Sequence, residues 1–407
     1  HVGIIPFTAF DDLATGIKWG ALTVTIIAST LFFLALLKLK VRWPILWLGI
    51  FLFSSADLLY RLAMLRPHPL SLGLSMILFA YLSAKETTRT RAILFAIAAG
   101  LSWIHLSLSW MALLIVAVVS TVEFMQKQEV SGRKYLAVIL GLIAGWILRP
   151  NPIGAARLAY IQVVKLLFEK QSNIPLRFGR ELTPFVWENF VDQLIPITII
   201  ALTAAAFIGW FYWRKTWSAS DADTKGPIIS AAALAGVFFL LTFGVARRSN
   251  ELFIGFAVIF AALVFTYMLK NTLRYDWPHY FAAILVILAV IYMPFKTIYR
   301  FDTYLAGTFE IDRFKAVSEW LNKNSQPEEI VFNIHWDRFA QLFYWNQRNY
   351  FINGMDPIFE YTYDPALYWK THFLAIDAGT THTCGKIKCT AEEVEPTPQV
   401  LKNDFGA

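Results

Sequence analysis

Residues 251–269, ELFIGFAVIFAALVFTYML, decide the fold. A helix needs about 20 mostly apolar residues to cross the hydrocarbon core of a bilayer. This run supplies them with one charge, Glu251, at its head. Comparable runs cover 17–37, 193–213, 227–245 and 280–297. Others are interrupted. Residues 44–60 and 69–84 flank the polar break YRLAMLRPHPL, and 92–124 is one long run broken by SWIHLS, long enough for two short crossings. Residues 135–148 make a short run. Short, broken helices are tolerated in a membrane where protein or a wet cavity covers them. The pattern points to a catalytic or transport bundle rather than a simple anchor.

The composition agrees. The chain has 407 residues, 57% of them hydrophobic and 16% charged, against roughly 25% charged in an ordinary soluble protein. Mean hydropathy is +0.50, and a soluble fold of this size could not hide so much apolar surface. The net charge of +7 lies largely in short loops between apolar runs. It therefore suits a membrane surface and gives no reason to expect nucleic acid. The expected fold is an α-helical polytopic membrane protein of about ten spans. Residues 1–297 form its membrane domain, and residues 298–407 form a small C-terminal α/β domain. Both ends read as cut, from HVGIIPF at the start to LKNDFGA at the finish. A piece of a longer protein is expected, with the last domain truncated.

Loop charges set orientation. One alternate set of loops holds Lys38, Lys40, Arg42, Lys85, Arg89, Arg91, Lys127, Arg133, Lys134, Arg214, Lys215, Lys225, Lys270 and Arg274. The opposite short loops hold only Arg61, Arg66, Arg247 and Arg248. The first set is expected in the cytoplasm of an inner or plasma membrane. The second set, the segment 149–193 and the C-terminal domain are expected outside. AARLAYIQVVKLLFEK within 149–193 has apolar residues at helical spacing and reads as an amphipathic helix at the outer interface. FGRELTPFVWENFVDQLIP reads as a second helix before the next span.

In the C-terminal part DRFKAVSEWLNKN reads as a helix stopping near Asn324, EEIVFNIHW as a strand, DRFAQLFYW as a helix and RNYFING as a strand. That order makes a small α/β domain. Aromatics crowd 336–369, from Trp336 to Trp369. Such a face suits docking at a membrane interface; a sugar-binding face is the sharper alternative.

The odd polar residues all fall on the expected outer side. They are Arg66 and His68 in RPHPL, His105 in SWIHLSLSW, Arg149 in LRPNP, and Arg247, Arg248 and Glu251 in ARRSNE. Ionisable residues near apolar spans are costly and pair with something. Arginine's planar fork suits a phosphate bidentately, so Arg247 and Arg248 are candidates for a lipid phosphate. Headgroup anchoring with Glu251 as a neutralising neighbour stays open. Pro67 and Pro69 stiffen the loop that carries His68, a residue whose ordinary pKa suits phosphate contact or acid/base work. A hydrogen-bonded structural loop is the plainer alternative for Arg66 and His68, and a structural histidine for His105. Asp57, inside an apolar run beside SSA, is either buried and functional or paired with Arg61 at four-residue spacing, and the pair is the favoured reading. Asp12 is expected to cap the first span, Asp337 to cap the helix after it, and Asp356 to serve the turn at Pro357. His382, Cys384 and Cys389 are too few to define a metal site, and a disulfide between the cysteines closing a small loop fits an oxidising compartment better. No Walker loop, GxGxxG, GxSxG or HExxH occurs, so ATP-driven transport and the common soluble chemistries find no support.

Together these features resemble the GT-C superfamily of membrane glycosyltransferases, which includes protein mannosyltransferases and the aminoarabinose transferases of lipid A. The likeness is carried by HVGIIPF, YRLAMLRPHPLSL, SWIHLSL, RRSNELF and VFNIHWDRFAQLFYWNQRNYFINGMDP. The resemblance implies a donor sugar on a polyprenyl phosphate and a glycan, protein or lipid acceptor. A carboxylate in the first outer loop deprotonates the acceptor and the lipid phosphate leaves. Arg247 and Arg248 would hold that phosphate, with Arg66, His68, His105 and Glu251 around it. The family's catalytic carboxylate precedes the stretch resembling HVGIIPF, so the base is expected upstream of His1, and Asp11 and Asp12 sit too late for it. No cofactor is assigned, and a divalent metal stays open. Two other readings compete. A transporter or flippase of lipid-linked glycans would use the same cationic patch without a base, although no inverted repeat is visible. A non-catalytic membrane subunit would use its soluble domain to bind a partner.

Overall fold

In the computed structural model the described residues are 2–127, 130, 132–169, 179–214, 217, 222–271, 277–306, 310–354, 356–375, 382–384, 387–389 and 398–406. The chain divides into two compact units, His1–Ala156 with Leu182–Ala306, and Arg157–Glu181 with Gly307–Ala407.

Among its described residues the first unit is helical, with α1 (Leu13–Lys38), α2 (Pro44–Leu52), α3 (Ala56–Leu62), α4 (His68–Leu82), α5 (Thr88–Ile104), α6 (Trp110–Lys127), α7 (Gly132–Ile147) and the start of α8 (Pro152–Tyr160); α9 (Leu166–Glu169) belongs to the second unit, and the first resumes with α10 (Trp187–Gln193), α11 (Ile195–Trp213), α12 (Ala222–Gly244), α13 (Asn250–Asn271) and α14 (Trp277–Ala306). Local signals set their ends. Asp12 caps α1 by accepting from the backbone N–H of Ala14 at 3.1 Å and of Thr15 at 3.0 Å, as expected. Thr87 caps α5 through Thr90 N–H at 3.0 Å. Proline opens α2, α4 and α11, where a missing N–H costs nothing.

Among the described residues six helices are long and apolar enough to cross a membrane, or up to eight if each of two bent pairs counts as one span. The protein is therefore a multi-pass membrane protein, and the expected ten spans are reduced to six to eight. The excess came from short elements. α4 has 15 residues, about 22 Å of helix, short of the roughly 30 Å hydrocarbon core. α5 has 17 residues with two arginines in its first turn. α2 and α3 meet at 95°. At that break Phe53 O accepts the Thr297 hydroxyl at 2.6 Å, and at the far end of α3 Leu62 O accepts the Thr25 hydroxyl at 2.6 Å. Such re-satisfaction lets broken helix persist at membrane depth.

α13, the run that decides the fold, is the central helix. Some 94% of its most apolar window is buried inside the protein, against 39% or less for the other candidate spans. Phe256 meets Phe79 of α4 and Phe238 of α12, Tyr267 meets Phe211 of α11, and Phe265 meets Trp47 of α2. α5 and α7 pack through glycine. A Cβ added at Gly141 would lie 2.4 Å from Phe95 O, and one at Gly145 2.1 Å from Ala99 O. The sequence GLIAG at 141–145 is thus a small-residue stripe that lets two backbones touch.

The second unit holds part of the expected amphipathic segment, the π-turn Ile161–Lys165 and α9, and the C-terminal residues. There α15 (Lys315–Asn324), β1 (Ile330–Val331), α16 (Phe339–Trp345) and β2 (Tyr350–Phe351) follow the expected helix, strand, helix, strand order, before α17 (Pro357–Tyr363) and α18 (Pro365–Ala375). β1 and β2 are parallel, with Ile330 opposite Tyr350 and Val331 opposite Phe351. The sheet is only two residues long because asparagine side chains take over its hydrogen bonds. Asn333 and Asn353, both buried, exchange three bonds: Nδ2 of 333 to O of 353 at 2.6 Å, N of 353 to Oδ1 of 333 at 3.0 Å, and Nδ2 of 353 to O of 333 at 2.7 Å. Within the aromatic crowd, Phe339 packs on Phe343 and Phe351, Tyr344 on Trp345, and Tyr368 on Tyr361 and Trp369. β3 (His382–Cys384) and β4 (Ile387–Cys389) form an antiparallel ribbon, and α19 (Pro398–Phe405) ends the chain. The disulfide expected between Cys384 and Cys389 lies outside the described side chains.

Asp337 does not cap the helix after it. It sits inside a 3-10 turn, Trp336–Arg338, whose cap position is His335. Asp356 occupies the cap position before Pro357 of α17, without a side-chain cap bond.

Candidate functional site

The break at 53–55 turns α3 so that two of its side chains reach α13 and the turn before it. Asp57 accepts from Arg247 twice, Nη2 to Oδ1 at 3.0 Å and Nε to Oδ2 at 3.3 Å. Asn250 Nδ2 donates to the same carboxylate at 3.0 Å. One turn on, Arg61 bonds Glu251, both side chains 6% exposed. The expected Asp57–Arg61 pair is therefore wrong. Each residue instead pairs with a partner of opposite charge some 190 positions away. The reason is geometric: i,i+4 neighbours share a helix face, and that whole face is turned toward a second row of opposite charges.

Arg247 is held from other directions too. Its N–H donates to Thr183 O at 2.7 Å, and its guanidinium lies 5.0 Å from the centre of the Phe185 ring. Tyr304 at the end of α14 faces both Asp57 and Arg247 and accepts from Gln193 Nε2 at 2.7 Å. Arg248 is half-buried beside Arg247. Among Arg61, Arg247, Arg248, Asp57 and Glu251 there is an excess of one positive charge.

His68, 2% exposed, starts α4, while Arg66 just before it is exposed. His105 ends α5 and its Nδ1 lies 3.2 Å from Ser71 Oγ on α4. Arg149 is not part of the charged cluster. It donates to the last carbonyls of α5, Ser102 O at 3.0 Å and Trp103 O at 2.7 Å, satisfying groups that a helix end leaves open. Of the expected residues, Arg247 and Glu251 are thus tied by printed contacts into one network with Arg61. Arg248 adjoins it, and His68 and His105 lie on the neighbouring ends of α4 and α5. Asp57 and Asn250 are members the sequence reading did not place there. The signal for Asp57 was a carboxylate inside an apolar run, where an ionised group is costly.

The second unit carries a separate cleft of about 360 Å³ lined by Trp336, Asp337, Arg338, Asn353, Glu360 and His372, among others. Glu360 accepts the Thr371 hydroxyl, and burial pushes its carboxyl above the usual range. Among the described residues no three His, Cys, Asp or Glu gather as a metal site would require.

A scan of protein families returns no match to the chain, and a search of curated proteins returns none.

Proposed function

We propose that the protein is a membrane glycosyltransferase that moves a sugar from a polyprenyl-phosphate donor to an acceptor outside the cytoplasm. The observation that carries this reading is the charged network of Asp57, Arg61, Arg247, Asn250 and Glu251 at one end of an apolar bundle. Ion pairs in such a place are expensive and mark function more often than they mark stability. The network fixes Arg247 in position, with Arg248 beside it. A pre-positioned guanidinium can stabilise a departing phosphate without reorganising. The bond from the sugar's anomeric carbon to phosphate oxygen breaks as one forms to the acceptor's oxygen or nitrogen, whose proton passes to a base outside these residues, and the charge that develops on the departing phosphate oxygen falls to Arg247 and Arg248. Arg66, His68 and His105 belong to the surrounding donor and acceptor groups. The reading assigns no general base within these residues.

The test follows release of polyprenyl phosphate by the protein in detergent, supplied with polyprenyl-phosphate sugars and with acceptor extracts. Release that Arg248→Ala reduces by about a hundredfold, the scale of one oxyanion-stabilising donor, supports the transferase. Donor binding that depends on Arg248 with no release from any donor would replace it with the flippase reading.

A further inference from the structure

A second site lies at the opposite end of α12 from the charged network. The charged network sits where α3 and α12 finish and α13 starts. A cavity of about 950 Å³ opens where α1, α4 and α6 finish and α5, α7 and α12 start. Its volume is at the upper end of ordinary ligand pockets. Lys38, Lys40, Lys85, Arg89 and Lys134 line it, with two carboxylates, Glu86 and Glu123.

Both carboxylates are already engaged. Glu86 bonds Arg91 at 2.8 Å. Glu123 receives Lys134 Nζ at 3.2 Å and the Tyr135 hydroxyl at 2.5 Å. Lys134 is buried, its ammonium also donating to Leu82 O at 3.0 Å. The five cations of the lining outnumber its two carboxylates by three. The N-terminus of α5, a 17-residue helix, also points its first turn here, and that end of a helix favours an anion. Two polar atoms of the wall complete the picture. Ser83 Oγ and Gln126 Nε2 are shut off from solvent and have no hydrogen-bond partner. Buried donors left unmatched are rare and ask for an explanation.

We propose that this cavity binds a phosphate-bearing anion, such as a lipid headgroup or a soluble phosphate. The cationic rim attracts it, α5's first turn and Lys134 hold its oxygens, and Ser83 and Gln126 supply the remaining donors. Loop lysines that merely set membrane orientation would need neither a cavity between them nor unmatched donors in its wall. This site shares no residue with the charged network, so it stands or falls independently of the transferase reading.

The experiment uses the whole protein in nanodiscs and the variant carrying Lys85→Gln with Arg89→Gln, two exposed residues whose loss leaves the bundle's packing intact. Native mass spectrometry counts retained phosphatidylglycerol against phosphatidylcholine. In a parallel arm, inorganic pyrophosphate is titrated calorimetrically into the protein in neutral detergent. Retention of one phosphatidylglycerol per chain, falling about thirtyfold in the variant as two basic residues at an anionic surface imply, assigns a lipid headgroup. Pyrophosphate binding that weakens as much in the variant, without lipid preference, assigns a soluble phosphate. Gln126→Leu weakens whichever ligand binds. Equal behaviour of wild type and variant in both arms overturns the proposal.

Discussion

Arg247 grips Asp57 through two nitrogens, at 3.0 and 3.3 Å, across 190 positions of sequence. Both side chains are about 15% exposed (16% and 14%), so solvent screens the pair only in part. A double-mutant cycle of Asp57→Asn and Arg247→Gln, read by unfolding in micelles, is expected to give a coupling on the order of 1 kcal/mol. A coupling indistinguishable from zero would reduce the contact to a coincidence of packing.

Arg61 and Glu251 are more deeply enclosed, at 6% each. Glu251→Gln or Arg61→Met alone removes one half of a buried ion pair. Each single change is expected to destabilise by about 3–5 kcal/mol. The double variant removes both charges and should be markedly more stable than the sum of the singles predicts. Strict additivity in the same unfolding assay would mean the two residues do not depend on each other.

The backbone contact of α5 with α7 gives a third prediction. Gly145→Val places carbon where Ala99 O stands and is expected to cost about 1–3 kcal/mol by overpacking. Gly100→Ala on α5 is the control, since nothing lies within 4 Å of its added Cβ. A lowered unfolding midpoint for Gly145→Val with an unchanged one for Gly100→Ala is the expected pair of results.

Glu360 sets a pH dependence. Burial raises its pKa above the ordinary 4.5, and the Thr371 hydroxyl opposes that rise only in part. A carboxyl that binds its proton more tightly when folded stabilises most below its unfolded value. That contribution is lost as pH rises through the folded value. Wild type should therefore lose stability relative to Glu360→Gln as pH climbs from 4.5 toward neutrality. Parallel pH curves for the two proteins would show that Glu360 titrates alike folded and unfolded.

Much of the bundle was legible because span length is a direct constraint: 251–269 and its fellow runs became helices where their apolar content said they would. What each helix faces was not legible. Composition marks α13 as apolar but cannot say that four neighbours enclose it, since lipid and protein interior ask for the same residues. The pairing of Asp57 failed for a related reason. Four-residue spacing reports who shares a face, and only the bend at 53–55 reveals what that face meets. The GLIAG stripe was readable and went unread, because its five residues look like any other part of an apolar run. In the second unit the order of elements was recovered, but strand length was not. Asn333 and Asn353 bond the backbone in place of a longer ladder, and an asparagine in sequence does not announce which amide it will serve.

The distance between paired charges also bears on biogenesis. Asp57 and Arg61 leave the ribosome long before Arg247 and Glu251 exist. At a synthesis rate of about 5–20 residues per second, 190 residues amount to roughly 10–40 seconds of waiting. Through that interval Asp57 and Arg61 enter or border the bilayer without the partners that Arg247 and Glu251 later supply. The first half of the bundle is thus held in an unfinished state until α13 enters and closes it. A chain that stalls before residue 247 would display an acid and a base in an apolar setting, a mark by which membrane quality control could tell an incomplete copy from a finished one.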